Sequence, residues 1–149
     1  MKYNFEIRMS DSPLPKLGPE TIMAIDEVEC FKHGDHTWDG FKVTTNKRVI
    51  LLLVADGQNC CEVWGMVASE DDVTSFIGAK LLCINWTGKD LVKRGYVDKI
   101  DYCDGDVMFV DFETSQGVLQ LAVYNCHNGY YGHVAILVID GDQKLEEHL

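Results

Sequence analysis

The chain has 149 residues, of which 46% are hydrophobic and 25% charged, and its formal net charge at pH 7 is −11. Length and composition are those of one ordinary globular domain that is long enough to bury a core. The excess of acidic residues repels phosphate backbones and anionic lipid surfaces, so neither nucleic acid nor a membrane is an expected partner.

The N-terminal stretch MKYNFEIRMSDSPLP lacks an apolar segment of signal-peptide length, and the longest apolar run, residues 49–55, is too short to span a bilayer. A cytoplasmic location is therefore expected. In that compartment the six cysteines are expected to be reduced, and most of them lie in strand-like runs where a free thiol behaves as a small hydrophobic group.

Residues 1–19 contain all three prolines and are predicted to form an irregular lead-in. Strand-like runs follow, with two of them separated by a two-residue hairpin turn at Asn46 and Lys47. The second of these two is apolar on both faces, which predicts a central, covered strand. The runs are Ile22 to Cys30, Phe41 to Thr45, Arg48 to Ala55 and Cys61 to Ala68.

The segment SEDDVTSFIG predicts a short helix over residues 70–77. Ser69 is a suitable N-cap, and the acidic residues that follow it suit the positive end of a helix dipole. Val73, Phe76 and Ile77 recur at helical spacing, and Gly78 suits a left-handed C-terminal position.

Five more strand-like runs alternate with turns, and Ser115 to Gly117 reads as a hairpin connection. The runs are Ala79 to Trp86, Tyr96 to Tyr102, Val107 to Glu113, Val118 to Asn125 and His133 to Ile139. The polar tail, residues 141–149, is expected to fray or form a short helix. The prediction is an α+β fold: a mostly antiparallel sheet of about seven to nine strands with one short helix, in a single domain over residues 20–140.

The sequence gives only weak indications of a metal site or of a catalytic nucleophile. Cys60 and Cys61 are adjacent, so along a strand they point to opposite faces and do not form a zinc knuckle. His33 and His36 have workable ligand spacing but no second pair nearby in the sequence. His127 and His133 could approach the paired cysteines, yet the surrounding acidity disfavours a thiolate. No metal or cofactor is predicted, and an enzyme is not favoured.

Two polar segments are the strongest binding candidates: DGQNCCE, residues 56–62, and NCHNGYYGHV, residues 125–134. Tyrosine offers a flat apolar face and a hydroxyl, which suits stacking on a ring of a ligand. The alternative is a hairpin whose aromatic residues pack across neighbouring strands.

These segments resemble motifs of a family of small uncharacterised proteins encoded by bacteriophages and their bacterial hosts. A QDCCE-like motif corresponds to residues 58–62, and an SNGYYS-like motif corresponds to residues 127–132. This chain has Asp56 where family members usually carry histidine, and Asn59 where they carry an acid. The resemblance covers roughly Thr21 to Val138 and implies no reaction. If the protein is phage-encoded, its expected location is the host cytoplasm.

Polar and aromatic groups on loops usually serve binding. We therefore expect a non-enzymatic binding protein that captures a small molecule, with a nucleotide-derived host immune signal as one candidate ligand. The alternatives are an acidic module that binds or inhibits a host protein and a cysteine- or zinc-dependent enzyme. A homodimer through an edge strand is a further possibility. The expected ligand-binding residues are Gln58, Asn59, Cys60, Glu62, Asn128, Tyr130, Tyr131 and His133, with Lys93 and Arg94 as phosphate contacts.

Overall fold

The computed structural model describes residues 5–6, 8–9, 12–13, 20–57, 63–87, 106–126 and 133–149, and most of them lie in β-strands. In chain order the strands are β1 (Phe5–Glu6), β2 (Arg8–Met9), β3 (Ser12–Pro13), β4 (Glu20–His33), β5 (His36–Thr45), β6 (Val49–Ala55), β7 (Val63–Ala68), β8 (Lys80–Thr87), β9 (Asp106–Thr114), β10 (Gly117–Cys126), β11 (Val134–Ile139) and β12 (Asp142–His148).

Among these residues, one antiparallel sheet follows the order β12-β11-β6-β5-β4-β8-β9-β10-β7, with β1 paired to β8, and β2 and β3 form a separate ribbon. We call β12, β11, β6, β5 and β4 the front half-sheet, and β8, β9, β10 and β7 the back half-sheet. The two join where Glu20 and Thr21 of β4 pair with Leu81 and Lys80 of β8.

The half-sheets fold over each other and enclose one apolar core. The core takes alternate residues from both of them, as expected when successive strand side chains point to opposite faces. Phe41 and Leu52 represent the front half-sheet, and Phe112 and Leu121 represent the back half-sheet; each has at most 2% of its surface exposed. A second, smaller cluster around Trp38, on the outer face of the front half-sheet, is separate from this core.

The predicted α+β class is wrong, because the described residues contain no α-helix. Where a helix over residues 70–77 was expected, the structure has a 3-10 turn, Val73–Phe76, capped by Asp72. Ser69 is not the cap, since its backbone N–H donates to the Gln120 carbonyl and its hydroxyl accepts from the Gln120 N–H. Ser69 is thus held against β10, and the cap moves to Asp72, which leaves only one 3-10 turn before Gly78.

Several local predictions are confirmed. Asn46 and Lys47 lie in the turn that connects β5 to β6, although this turn also includes Arg48, and Gly78 has the expected positive φ of 89°. β6 lies between β5 and β11 and is buried along nearly its whole length. The polar tail was predicted wrongly, because Asp142–His148 is strand β12, antiparallel to β11. The predicted strand over residues 96–102 lies outside the described residues.

A buried ion pair holds the start of β4 against the β5–β6 turn. Glu20 is fully buried, and its Oε1 lies 2.5 Å from Nη2 of Arg48. Its other oxygen accepts a hydrogen bond of 2.8 Å from the Thr45 hydroxyl. The guanidinium group of Arg48 is therefore engaged in a structural ion pair and is not available to bind a phosphate. None of the helical structure in the described residues has the length and hydrophobicity of a membrane span.

Candidate functional site

Two connections cross between the half-sheets at one end of the molecule. The first runs from β6 to β7 and the second from β10 to β11. Because β7 pairs with β10, Val63 lies opposite Cys126, and because β6 pairs with β11, Val54 lies opposite Ala135. The described flanks of the two connections are therefore neighbours. We call this end, marked by Ala55, Val63, Cys126 and His133, the crossover end.

His133 joins the flanks of the two connections. Its ring Nδ1 lies 2.8 Å from the carbonyl oxygen of Ala55, and its ring stacks on Trp64 with centroids 5.6 Å apart and planes 29° apart. Only 3% of its surface is exposed. Because a carbonyl oxygen can only accept, this hydrogen bond requires Nδ1 to carry a proton and donate it. His133 therefore fixes the entry to β11 against the exit of β6.

His133 is the one predicted ligand-binding residue that the structure describes. It lies at the crossover end as a buried anchor, with its Nδ1 already committed to the main chain. The other predicted residues lie outside the described part of the chain: Gln58, Asn59, Cys60, Glu62, Lys93, Arg94, Asn128, Tyr130 and Tyr131. Their roles stay predictions.

A groove of about 640 Å³ opens on the outer face of the front half-sheet and reaches the crossover end. Its volume lies in the range of small-molecule sites, about 300–1,000 Å³. Adjacent strands β5, β6, β11 and β12 supply most of the lining. The floor is apolar because alternate residues of these strands face outward, and it comprises Trp38, Ala55, Val134 and Ile136.

The rim of this groove carries three carboxylates, on Asp35, Asp56 and Glu146, and we call it the acidic groove. Asp56 accepts a hydrogen bond of 2.8 Å from the Thr37 hydroxyl, which holds it at the exit of β6. His36 contacts the edge of the Trp38 indole at a centroid distance of 6.4 Å. No lysine or arginine is among the described lining residues. The rim is thus rich in acceptors and negative charge.

Asp56 also belongs to a second polar group. The Cys30 thiol and one carboxylate oxygen each from Asp39 and Asp56 all lie within 4.8 Å of one another. Asp39 continues the core-facing alternation of β5 beyond Phe41, whereas Asp56 follows the last residue of β6 and also lines the groove. Cys30 lies in a bulge of β4, with φ of 49°, and its N–H donates to Asp39 at 3.0 Å.

One thiol and two carboxylates at this separation could hold a divalent metal such as zinc, provided that the thiol loses its proton. His33 and His36, whose spacing would suit metal ligands, do not meet a third such group within that distance among the described residues. The main-chain carbonyl of His33 instead accepts a hydrogen bond from the Trp38 indole at 3.0 Å.

The second described thiol, Cys83, lies in a polar network on the outer face of the back half-sheet. Its Sγ donates to Glu113 at 2.9 Å, and the Asn85 amide donates to the other oxygen of Glu113 at 2.9 Å. Burial and then the carboxylate of Glu113 raise the pKa of the Cys83 thiol to about 11. Cys83 is therefore a poor nucleophile near neutral pH.

Sequence reasoning missed Cys30, Trp38, Asp39 and Glu146. The predicted strand that holds Cys30 ended at that residue, and Trp38 and Asp39 lay between two predicted strands and were assigned to no site. The expectation that most cysteines are buried fails for Cys30, which is exposed. The available signal was the alternation in HTWDGFKV, which places Trp38 on one face of β5 and Asp39 with Phe41 on the other.

Comparison with known proteins gives a family but no activity. A family model described as a domain of unknown function, DUF7448, matches residues 18–137. Neither the curated proteins nor the solved structures yielded a match. The expected kinship with an uncharacterised family is confirmed at this level, whereas the phage association and the two motifs stay predictions.

Proposed function

The chain belongs to the DUF7448 family, whose description assigns no activity, and we propose that it is a non-enzymatic protein that captures a small molecule at the crossover end. The observation that carries the proposal is the groove of about 640 Å³, which lies beside the flanks of both predicted binding segments. A recess with an apolar floor and a few polar rim groups is the usual form of a small-molecule site.

The layout of the strands supports this proposal. Asp56 and Gly57 line the groove and are also the first residues of the segment 56–62. His133, the last residue before β11, ties the segment 127–132 to Ala55. A ligand in the groove would therefore lie beside Gly57 and Val134, which flank the two segments.

The original ligand candidate, a nucleotide-derived immune signal, has less support than the general class. Arg48 is paired with Glu20, and the described rim offers carboxylates where a phosphate needs cationic or N–H donors. A nucleotide would need its phosphate contacts from Lys93 and Arg94, which lie outside the described residues.

The enzymatic alternative would draw on the Cys30, Asp39 and Asp56 group, because Cys83 is held as a thiol by Glu113. It requires a Cys30 thiol that reacts with an alkylating reagent faster than a free cysteine at pH 7. A rate at or below that of a free thiol removes this alternative.

A thermal-shift screen tests small-molecule capture. The panel should contain organic cations, neutral polar compounds, and anions that include nucleotides. A ligand at one hundred times its dissociation constant stabilises the protein by about 2.7 kcal/mol. For a chain of this length, that corresponds to an increase in Tm of about 5–11 °C.

Gly57→Trp places a bulky side chain at the groove. A Cβ at Gly57 meets no other atom within 4 Å, so the variant is expected to fold normally. It should abolish the ligand-induced shift, whereas Met23→Trp, at a site 56% exposed on β4, should retain it. A panel without any stabilising compound, or equal shifts in wild type and Gly57→Trp, would overturn the proposal.

A further inference from the structure

We propose that the ligand of the acidic groove is a small organic cation with two or more amine or guanidinium groups joined by apolar spacers. This inference rests on the proposed function and specifies its ligand class. Three properties of the groove carry it: the charge of its rim, the position of its carboxylates, and the chemistry of its floor.

The rim charge selects the sign of the ligand. Asp35, Asp56 and Glu146 bring three carboxylates to one recess, and the described lining supplies neither lysine nor arginine. Among the described residues, Asp35 and Asp56 form no salt bridge, and Glu146 has one with His148 at 3.3 Å. A cation would relieve repulsion between these groups, whereas a phosphate or carboxylate ligand would add to it.

The carboxylates come from three separate places in the fold. Asp35 lies in the β4–β5 turn, Asp56 follows β6, and Glu146 lies on β12. In strand order, β6 and β12 are separated by β11, so the last two carboxylates lie across the groove from each other. Two strand steps of about 4.8 Å separate them laterally, and the register offsets them by three residues along the strands, since Val54 pairs with Ala135 and Glu146 pairs with Ile136; the separation of the two positions is therefore roughly 14 Å. A single ammonium ion cannot contact both, but a ligand with cationic groups several bonds apart can.

The floor suits the spacer and one cationic head. Val134 and Ala55, which are half-buried, offer apolar surface for methylene groups. Trp38 lies beside them with 7% of its surface exposed, and tryptophan is the aromatic residue that attracts cations most strongly. The remaining rim groups on Asp56 and Glu146 accept hydrogen bonds, which matches a ligand made of N–H donors. The overall charge of −11 further raises the local concentration of cations.

Isothermal titration calorimetry with the full chain tests the ligand class. The probes are spermidine, agmatine and choline as cations, 1,4-butanediol as a neutral diol, and AMP as an anion. We expect spermidine or agmatine to bind with one-to-one stoichiometry and more tightly than choline. The diol and AMP should give no heat at the same concentrations.

Isosteric variants identify the carboxylates involved. Asp56→Asn and Glu146→Gln each remove a charge but keep an acceptor for the existing hydrogen bonds from Thr37 and Gln143. Each should weaken spermidine binding about three- to tenfold, and raising the salt concentration should weaken it further. The matched control is Asp26→Asn, an exposed carboxylate on β4 away from the groove, which should change affinity less than twofold.

The outcomes separate this inference from the proposed function. Binding of AMP or of the diol that Gly57→Trp abolishes, without binding of cations, overturns the cation class and leaves small-molecule capture standing. Cation binding that Asp56→Asn and Glu146→Gln do not weaken is adsorption to an acidic surface and also overturns it. If Zn²⁺ alone saturates the site and abolishes spermidine binding, the site is a metal site. This outcome also overturns the organic-cation class. No binding by any probe or panel compound removes the proposed function itself.

Discussion

Removing the positive partner of Glu20 should destabilise the fold strongly. Glu20 is fully buried, and in Arg48→Met the one partner left to its carboxylate among the described residues is the Thr45 hydroxyl. Removing one member of a buried ion pair costs about 3–5 kcal/mol, because the other charge stays desolvated. With a urea m-value of about 2 kcal/mol/M, the unfolding midpoint should fall by about 1.5–2.5 M.

The double variant Glu20→Gln/Arg48→Met isolates the cause of this loss. Glutamine keeps an acceptor for the Thr45 hydroxyl and carries no charge. The double variant should therefore be more stable than Arg48→Met by about 2 kcal/mol, even though it contains one more substitution. Lys144→Met provides the control, since Lys144 lies 3.9 Å from an Asp142 carboxylate that is 79% exposed. Its effect should stay below about 1 kcal/mol. A double variant that is less stable than Arg48→Met would refute the reasoning.

Three further predictions concern the Cys83 thiol, the close backbone approach at Gly40 and the hydrogen bond of His133. The pKa of Cys83 is raised from 9.0 to about 11, so the unfolded chain loses this proton first and the free energy of unfolding should fall between pH 9 and 11. Denaturation at pH 8, 9.5 and 11 should show a smaller fall in Cys83→Ala than in wild type, and equal falls would contradict the assignment. Gly40→Ala places a Cβ 1.9 Å from the Leu52 carbonyl oxygen, so stability should drop by about 3 kcal/mol in urea denaturation, and an unchanged midpoint would rule out this close approach. His133→Phe keeps a ring but leaves the Ala55 carbonyl without its donor, so the free energy of unfolding should fall by about 1–3 kcal/mol. A fall of less than about 0.5 kcal/mol in urea denaturation would show that this hydrogen bond does not anchor β11.

Strand patterns were the most predictable part of the fold. VILLLVA in β6 is apolar on both faces because β6 is covered on both of them, and the sequence carries that signal directly. The helix prediction failed because cap and spacing rules describe an isolated segment. They do not account for the two hydrogen bonds between Ser69 and the Gln120 main chain, which hold Ser69 at the end of the β7–β10 pairing.

Strand β12 was missed for a related reason. DQKLEEH has little strand propensity, and only Leu145 packs against the core. Its strand structure comes from β11, whose outer edge needs a hydrogen-bonding partner. Without the order of the strands, a polar tail of this composition gives no sign of pairing.

The candidate site was less predictable than the strands. Trp38 and Glu146 line one groove only because β5, β6, β11 and β12 are consecutive neighbours in the sheet. Cys30 meets Asp39 only because the β4–β5 register shifts between Val28 and Phe31. Neither the strand order nor the bulge leaves a mark in local sequence, so these contacts required coordinates.

The positions of the two binding segments depend on the framework more than on the segments themselves. Strand β6 pairs with β11, and β7 pairs with β10, so any chain that connects β6 to β7 must leave and enter beside the chain that connects β10 to β11. The hydrogen bond from His133 to Ala55 strengthens this proximity at one corner. Ladder hydrogen bonds fix the four anchoring positions that flank residues 58–62 and 127–132. Substitutions in these segments should therefore alter ligand affinity with little effect on stability, whereas substitution of His133 should alter both.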